Sequence, residues 1–120
     1  MIFIVDDNID ILETYEDFFD LYYSKDDLPC QYFSDPKKAL AEITNSSPKV
    51  LVTDYNMDGL SGAELANAAK KINPDIKVIL VSENSYMIES HFEVSPFDVL
   101  FGKLSDPKIL FEKIEELLIN

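Results

Sequence analysis

The chain has 120 residues, 47% of them hydrophobic, which is enough for one domain with its own apolar core. Its ten basic residues are all lysines, and 23 acidic residues bring the formal net charge to -13. That balance excludes a protein that grips a nucleic-acid backbone over a broad basic face, and the lack of arginine excludes bidentate guanidinium recognition of phosphate.

Ile2 to Val5 is an unbroken apolar run, followed at once by the acidic pair Asp6-Asp7. Ile9, Leu12, Tyr15, Phe19 and Tyr22 or Tyr23 then recur at helical spacing. Cys30 to Phe33 is a mixed run, as an edge strand should be. Ser34-Asp35-Pro36 sets a cap before a proline in the first turn, ahead of Ala39, Leu40 and Ile43. Val50 to Thr53 is apolar up to its last residue and leads into Asp54. Ser61 and Glu64 form a capping box before Leu65, Ala68, Ala69 and Ile72. Lys77 to Val81 precedes Ser82, and residues 84–93, with Met87, Ile88, His91 and Phe92, carry a sparser helical pattern. Val99 to Phe101 precedes Lys103. Ser105-Asp106-Pro107 then repeats the cap and proline before Ile109, Leu110, Ile114, Leu117 and Leu118.

Strands without polar alternation belong to parallel sheets covered on both faces. Five strands alternating with five helices therefore predict a doubly wound α/β fold, one domain over residues 1–120. Cys30, the only cysteine, has no partner for an internal disulfide and reads as a small buried hydrophobe. No apolar run approaches the roughly 20 residues that span a bilayer, and the N-terminus lacks the basic start of a signal peptide. The expectation is a cytoplasmic protein with no membrane and no direct nucleic-acid contact. His91 reads as a surface or half-buried helix residue. Tyr15, Phe18, Phe19, Tyr22 and Tyr23 read as core plus a contact face, and Asp26-Asp27 as a solvated loop.

In open parallel sheets, ligands bind beyond the carboxyl ends of the strands. The polar residues directly after the apolar runs are Asp6 and Asp7, Asp54, Ser82 and Lys103. Any one acid at a strand end is usually a turn former or helix cap, and Asp7 or Asn8 suits the helix near Ile9. Five complementary groups at successive element ends point instead to a site. Three clustered carboxylates repel and need a counter-charge, which a hard, oxygen-seeking ion such as Mg2+ supplies. Lys103 offers a point charge for a phosphoryl group and Ser82 a donor. A carboxylate beside such a metal can act as a nucleophile and form an aspartyl phosphate.

With these residues in that order, the whole chain resembles the receiver domain of two-component response regulators. The resemblance is carried by Asp6-Asp7, by the segment from Asp54 through Tyr55, Asn56, Met57, Asp58, Gly59, Leu60 and Ser61 to Gly62, by Val81-Ser82 and by Lys103. It implies a flavodoxin-like five-stranded sheet in the order 2-1-3-4-5. It also implies Asp54 as phosphoacceptor from a phosphohistidine on a sensor histidine kinase or histidine phosphotransfer protein. Mg2+ is implied on Asp7 directly, on Asp6 through water, on Asp54, and on the backbone carbonyl of Asn56. Ser82 and Lys103 would bind phosphoryl oxygens, and Gly62 matches the glycine that opens the third helix. An effector domain or partner would dock on residues 84–104 and the last helix. Enzyme activity would be limited to slow loss of the chain's own phosphoryl group.

Four positions depart from the family. Asp58 stands where a proline usually follows the methionine. Glu83 stands where a small residue follows the hydroxyl, and would narrow the entrance. The aromatic switch position falls on Leu100, or on Val99 if the alignment slides by one. Leu104 replaces a proline after Lys103, so a trans bond is expected there. A pseudo-receiver, a binding module whose output does not depend on phosphate, is the alternative that Glu83, Leu100 and Leu104 favour and that the presence of Asp54, Asp7 and Lys103 opposes. An aspartyl-phosphate phosphohydrolase would place a general acid two residues beyond the nucleophile. That position is Asn56, which cannot serve.

Overall fold

The computed structural model describes residues 1–22, 29–83, 96–103 and 106–119. Five strands, β1 (Ile2–Val5), β2 (Cys30–Phe33), β3 (Val50–Asp54), β4 (Lys77–Ser82) and β5 (Val99–Gly102), make one sheet in the order β2-β1-β3-β4-β5. Every pairing is parallel. The described helices are α1 (Ile9–Tyr22), α2 (Pro36–Ser46), α3 (Gly62–Ile72) and α4 (Pro107–Ile119). The helix expected within residues 84–93 lies outside the described residues, as do His91, Tyr23, Asp26, Asp27, Leu104 and Ser105.

The sheet order follows from which strands are apolar throughout. β1 and β3 are buried at every position and sit in the interior of the sheet. β2 is half-buried along its length and forms one edge, and β5 forms the other. Successive side chains on a strand point to opposite faces, so each central strand feeds two cores. Ile2, Ile4, Val50, Val52, Ile79, Val81 and Phe101 meet Leu12, Tyr15 and Phe19 of α1 and Leu110, Phe111 and Ile114 of α4. On the other face Phe3, Val5, Leu51 and Val78 meet Ala39 and Ile43 of α2 and Leu65, Ala66 and Ala69 of α3. No described helix is long and apolar enough to cross a membrane.

Local chemistry sets the helix ends. Asn8 starts α1, its side-chain oxygen accepting from the amides of Asp10 (3.0 Å) and Ile11 (3.4 Å). This settles the choice between Asp7 and Asn8. Ile9, read as part of the buried stripe, is 59% exposed. It precedes the first turn that lies over the sheet, so the stripe begins at Leu12. Asp35 caps α2 ahead of Pro36, and the Ser61–Glu64 capping box on α3 is complete in both directions. Asp106 accepts from the Lys108 amide at 3.0 Å where α4 begins.

Gly62 begins α3 hard against the end of β3. Its amide donates to the Tyr55 carbonyl at 2.8 Å, closing the loop between them. A Cβ here would collide with the Asp54 carbonyl oxygen and lie 3.0 Å from the Tyr55 Cα. Both obstacles are backbone, so nothing can rotate away. Gly62→Ala should cost about 1–3 kcal/mol, the usual penalty for overpacking. Thermal unfolding is expected to show a midpoint lower by several degrees.

Candidate functional site

The parallel arrangement brings the carboxyl ends of β1, β3, β4 and β5 to one edge. Asp54 is the last residue of β3 and in step with Val50 and Val52, so it lies on the face covered by α1 and α4. Asp6 continues the same alternation from Ile2 and Ile4, and Lys103 continues it from Val99 and Phe101. The three meet. The Lys103 ammonium lies 3.3 Å from Asp54 Oδ2 and 3.5 Å from Asp6 Oδ2. Asp6, Asp7 and Asp54 each bring a carboxylate oxygen to within 4.8 Å of the other two.

These acids differ in exposure. Asp6 and Asp54 are buried, while Asp7 is exposed. Asp6 Oδ1 accepts the Asn8 amide at 2.9 Å, and Asp7 Oδ2 accepts the Asp58 amide at 3.2 Å. An open groove of about 390 Å3 has Asp7 and Asp58 in its wall, so the third acid is reached directly from solvent.

Burial raises the proton affinity of both inner carboxyls, because a charge loses its hydration there. For Asp54 the next contribution is repulsion from Asp6, and the attraction of Lys103 does not cancel it. For Asp6 the Asn8 amide and Lys103 also pull down without cancelling burial. Lys103 feels burial in the opposite direction, but the two carboxylates outweigh it and hold the ammonium charged. Tyr15, packed beneath the site, is pushed up to about 12 by burial and then by the charges of Asp6 and Asp54.

Three carboxylates against one ammonium leave a cluster short of positive charge. Its donors are all hard oxygens and one is open to water. That donor set fits a divalent ion of the Mg2+ type, which takes oxygen ligands and keeps several waters.

Ser82 is buried at the end of β4, and its carbonyl accepts the Lys103 amide at 2.9 Å. Asn56 lies two residues past Asp54, exposed in the loop that Gly62 closes. Glu83 is exposed beside Ser82. The β4–β5 register pairs Leu80 with Leu100 and Ser82 with Gly102. Leu100 therefore shares the sheet face of Ser82, whereas Val99 and Phe101 belong to the α1/α4 core. Of the two, Leu100 and not Val99 is on the Ser82 face. Phe101 is 2% exposed and held in that core. The Lys103–Leu104 bond falls outside the described residues.

Two contributions escaped the reading of residues alone. Tyr15 falls in the apolar stripe of α1, and nothing in that spacing signals that the acids lie beside it. The Asp58–Asp7 contact spans 51 positions and involves a backbone amide, so side-chain motifs do not reveal it. The one available sign was that residue 58 is not proline.

The response regulator receiver domain family matches residues 2–115, and the chain belongs to that family. The fold and acidic site are thus those of a two-component receiver. The CheY-like receiver domain protein from Methanospirillum hungatei is 27% identical, with a TM-score of 0.81 over 96% of this chain and 90% of that one. The receiver domain of the Francisella response regulator 1452 is similar in fold, at 23% identity and a TM-score of 0.83, covering 97% and 93%. The response regulator TrrA from Thermotoga maritima, solved in complex with Mg2+-BeF, is 25% identical with a TM-score of 0.78, covering 97% and 96%. No curated protein sequence matches significantly.

The folded state holds the Asp54 proton more tightly than the unfolded chain does. Above the ordinary carboxylate value of 3.8, the ionised Asp54 therefore costs stability, and below it that cost vanishes. In metal-free protein at pH 7, Asp54→Asn should raise the unfolding midpoint by a few degrees, or about 1 kcal/mol for a domain of this size. Thermal scans at pH 7 and pH 4 should show the gain shrinking at the lower pH.

Proposed function

We propose that the chain is a phosphoacceptor switch, with Asp54 receiving a phosphoryl group from a phosphohistidine of a sensor histidine kinase or phosphotransfer protein. The observation that carries this reading is the position of Asp54: a buried carboxylate ending β3, beside two other acids and 3.3 Å from an ammonium. A carboxylate oxygen of Asp54 attacks phosphorus, an O–P bond forms, the N–P bond breaks, and the imidazole leaves. Lys103 stabilises the ionised carboxylate before attack and binds a phosphoryl oxygen after it. The Ser82 hydroxyl is the donor to a second phosphoryl oxygen.

Asp6, Asp7 and Asp54, with the backbone carbonyl of Asn56, are the groups that would hold Mg2+. The ion supplies neutralisation of charge and orientation of phosphoryl oxygens. Asp7, reachable from the groove, would hold the ion directly, and Asp6 would act through water. The rest of the proposal is a cytoplasmic signalling domain whose only hydrolysis is slow loss of its own phosphoryl group. It passes its signal to an effector or partner through residues 84–104 and α4.

Mass spectrometry after treatment with acetyl phosphate and Mg2+ tests the acceptor. A single phosphoryl adduct is expected, absent without Mg2+ and absent in Asp54→Asn. Labelling that survives the substitution places the acceptor elsewhere. Lys103→Ala should still accept phosphate, more slowly, and lose the coupling of phosphate to conformation. In calorimetric Mg2+ titrations, Asp7→Ala should weaken binding more than Asp6→Ala does. Unchanged affinity in both would remove the metal site.

Leu100 on the Ser82 face favours a second reading of the output, since leucine lacks both the reach and the hydroxyl of a tyrosine. Phosphorylation is expected to shift the β5 backbone slightly, without rotating Phe101 out of the core. Coupling should sit near the low end of the roughly 1–3 kcal/mol ordinary for such transitions. Amide and aromatic shifts with and without beryllofluoride measure this. Changes confined to the pocket would identify a pseudo-receiver.

A further inference from the structure

We infer that the backbone amide of Asp58 is a positioning group that holds the carboxylate of Asp7 in place for a divalent cation, an inference that rests on the metal site proposed above. Asp7 is the one exposed acid of the three and follows β1 outside any regular element, so its own surroundings do not fix its side chain. Asp6 takes the Asn8 amide, and Asp54 has Lys103. The partner of Asp7 arrives from the other side of the pocket: the Asp58 N–H, 3.2 Å from Oδ2.

Residue 58 sits in the loop whose base is closed by the Gly62 amide on the Tyr55 carbonyl, and Gly59 turns the chain just after it at φ +87°. The amide is therefore presented by closed backbone, not by a flexible side chain. A carboxylate has about four acceptor positions on its two oxygens, so the contact leaves capacity for a cation. Holding a ligand in one orientation beforehand removes an ordering cost from binding. Groups that orient metal ligands commonly matter by about 10–100-fold in affinity. An exposed site, where water competes, should lie at or below the bottom of that range. Proline has no N–H to donate. This chain has the contact because aspartate, not proline, follows Met57.

The Asp58 side chain adds negative charge near the pocket, so the amide must be separated from it. Asp58→Asn and Asp58→Pro both remove the charge, but only the proline removes the donor. Titration with Mg2+ alone should show Asp58→Pro binding about five- to tenfold more weakly than Asp58→Asn. In an Asp7→Ala background the two should bind alike, because the amide acts only through Asp7. Equal affinities of the two variants when Asp7 is intact, or a difference that persists in Asp7→Ala, would overturn the inference. Parent protein that takes up no Mg2+ would overturn the metal site and this inference together. A second measurement needs no proline variant. The Asp58 amide proton should be shifted downfield by its carboxylate acceptor and move upfield in Asp7→Ala more than the amides of Met57 or Gly59. An unmoved Asp58 amide would overturn the contact itself.

Discussion

Asp6 and Asp54 lie at the end of a parallel sheet where water is mostly excluded; burial raises the proton affinity of both, and Asp6 adds repulsion at Asp54. Lys103 between them offsets part of this strain but not all. The uncompensated remainder makes the site receptive to positive charge. A fully satisfied cluster would be more stable and chemically quiet. Everything else in the fold serves to hold these groups at that distance.

The two-residue period of the strands does most of the holding. Asp54 ends β3 and Asp6 directly follows β1 in the same alternation, so they fall on the same face, and Lys103 reaches them from just past β5 in the same phase. Ser82 and Leu100 fall on the opposite phase. The carboxylate–ammonium cluster and the Ser82–Leu100 pair thus belong to opposite faces of one sheet. A one-residue slip would exchange them. Phe101 shows the consequence: it is aromatic and next to Leu100, yet it faces the α1/α4 core and is committed to packing against it.

Two of the departures from the family among the described residues, Asp58 and Glu83, lie where the chain leaves the sheet, and there a substitution alters the site without disturbing either core. Asp58 adds a charge and an amide; the amide finds Asp7. Glu83 stays in solvent. Leu100 is the exception, a change within a strand.

Strand and helix order was readable from the chain, because burial on both faces demands unbroken apolar runs and caps have fixed side-chain chemistry. Asp35 before Pro36 and the Ser61–Glu64 box needed no distant partner to be recognised. The acids and Lys103 were readable as a set for the same reason: in a parallel sheet every strand ends on the same edge. Other features depended on how distant segments meet. Ile9 is apolar but exposed, since the docking of α1 begins a turn later. Leu100 rather than Val99 shares the face of Ser82, which register alone decides. The Asp58–Asp7 contact joins a backbone donor to an acid 51 residues away. A backbone amide is the same in every residue but proline, so residue identities carry almost no trace of where it points. That direction is set when the loop closes on the sheet.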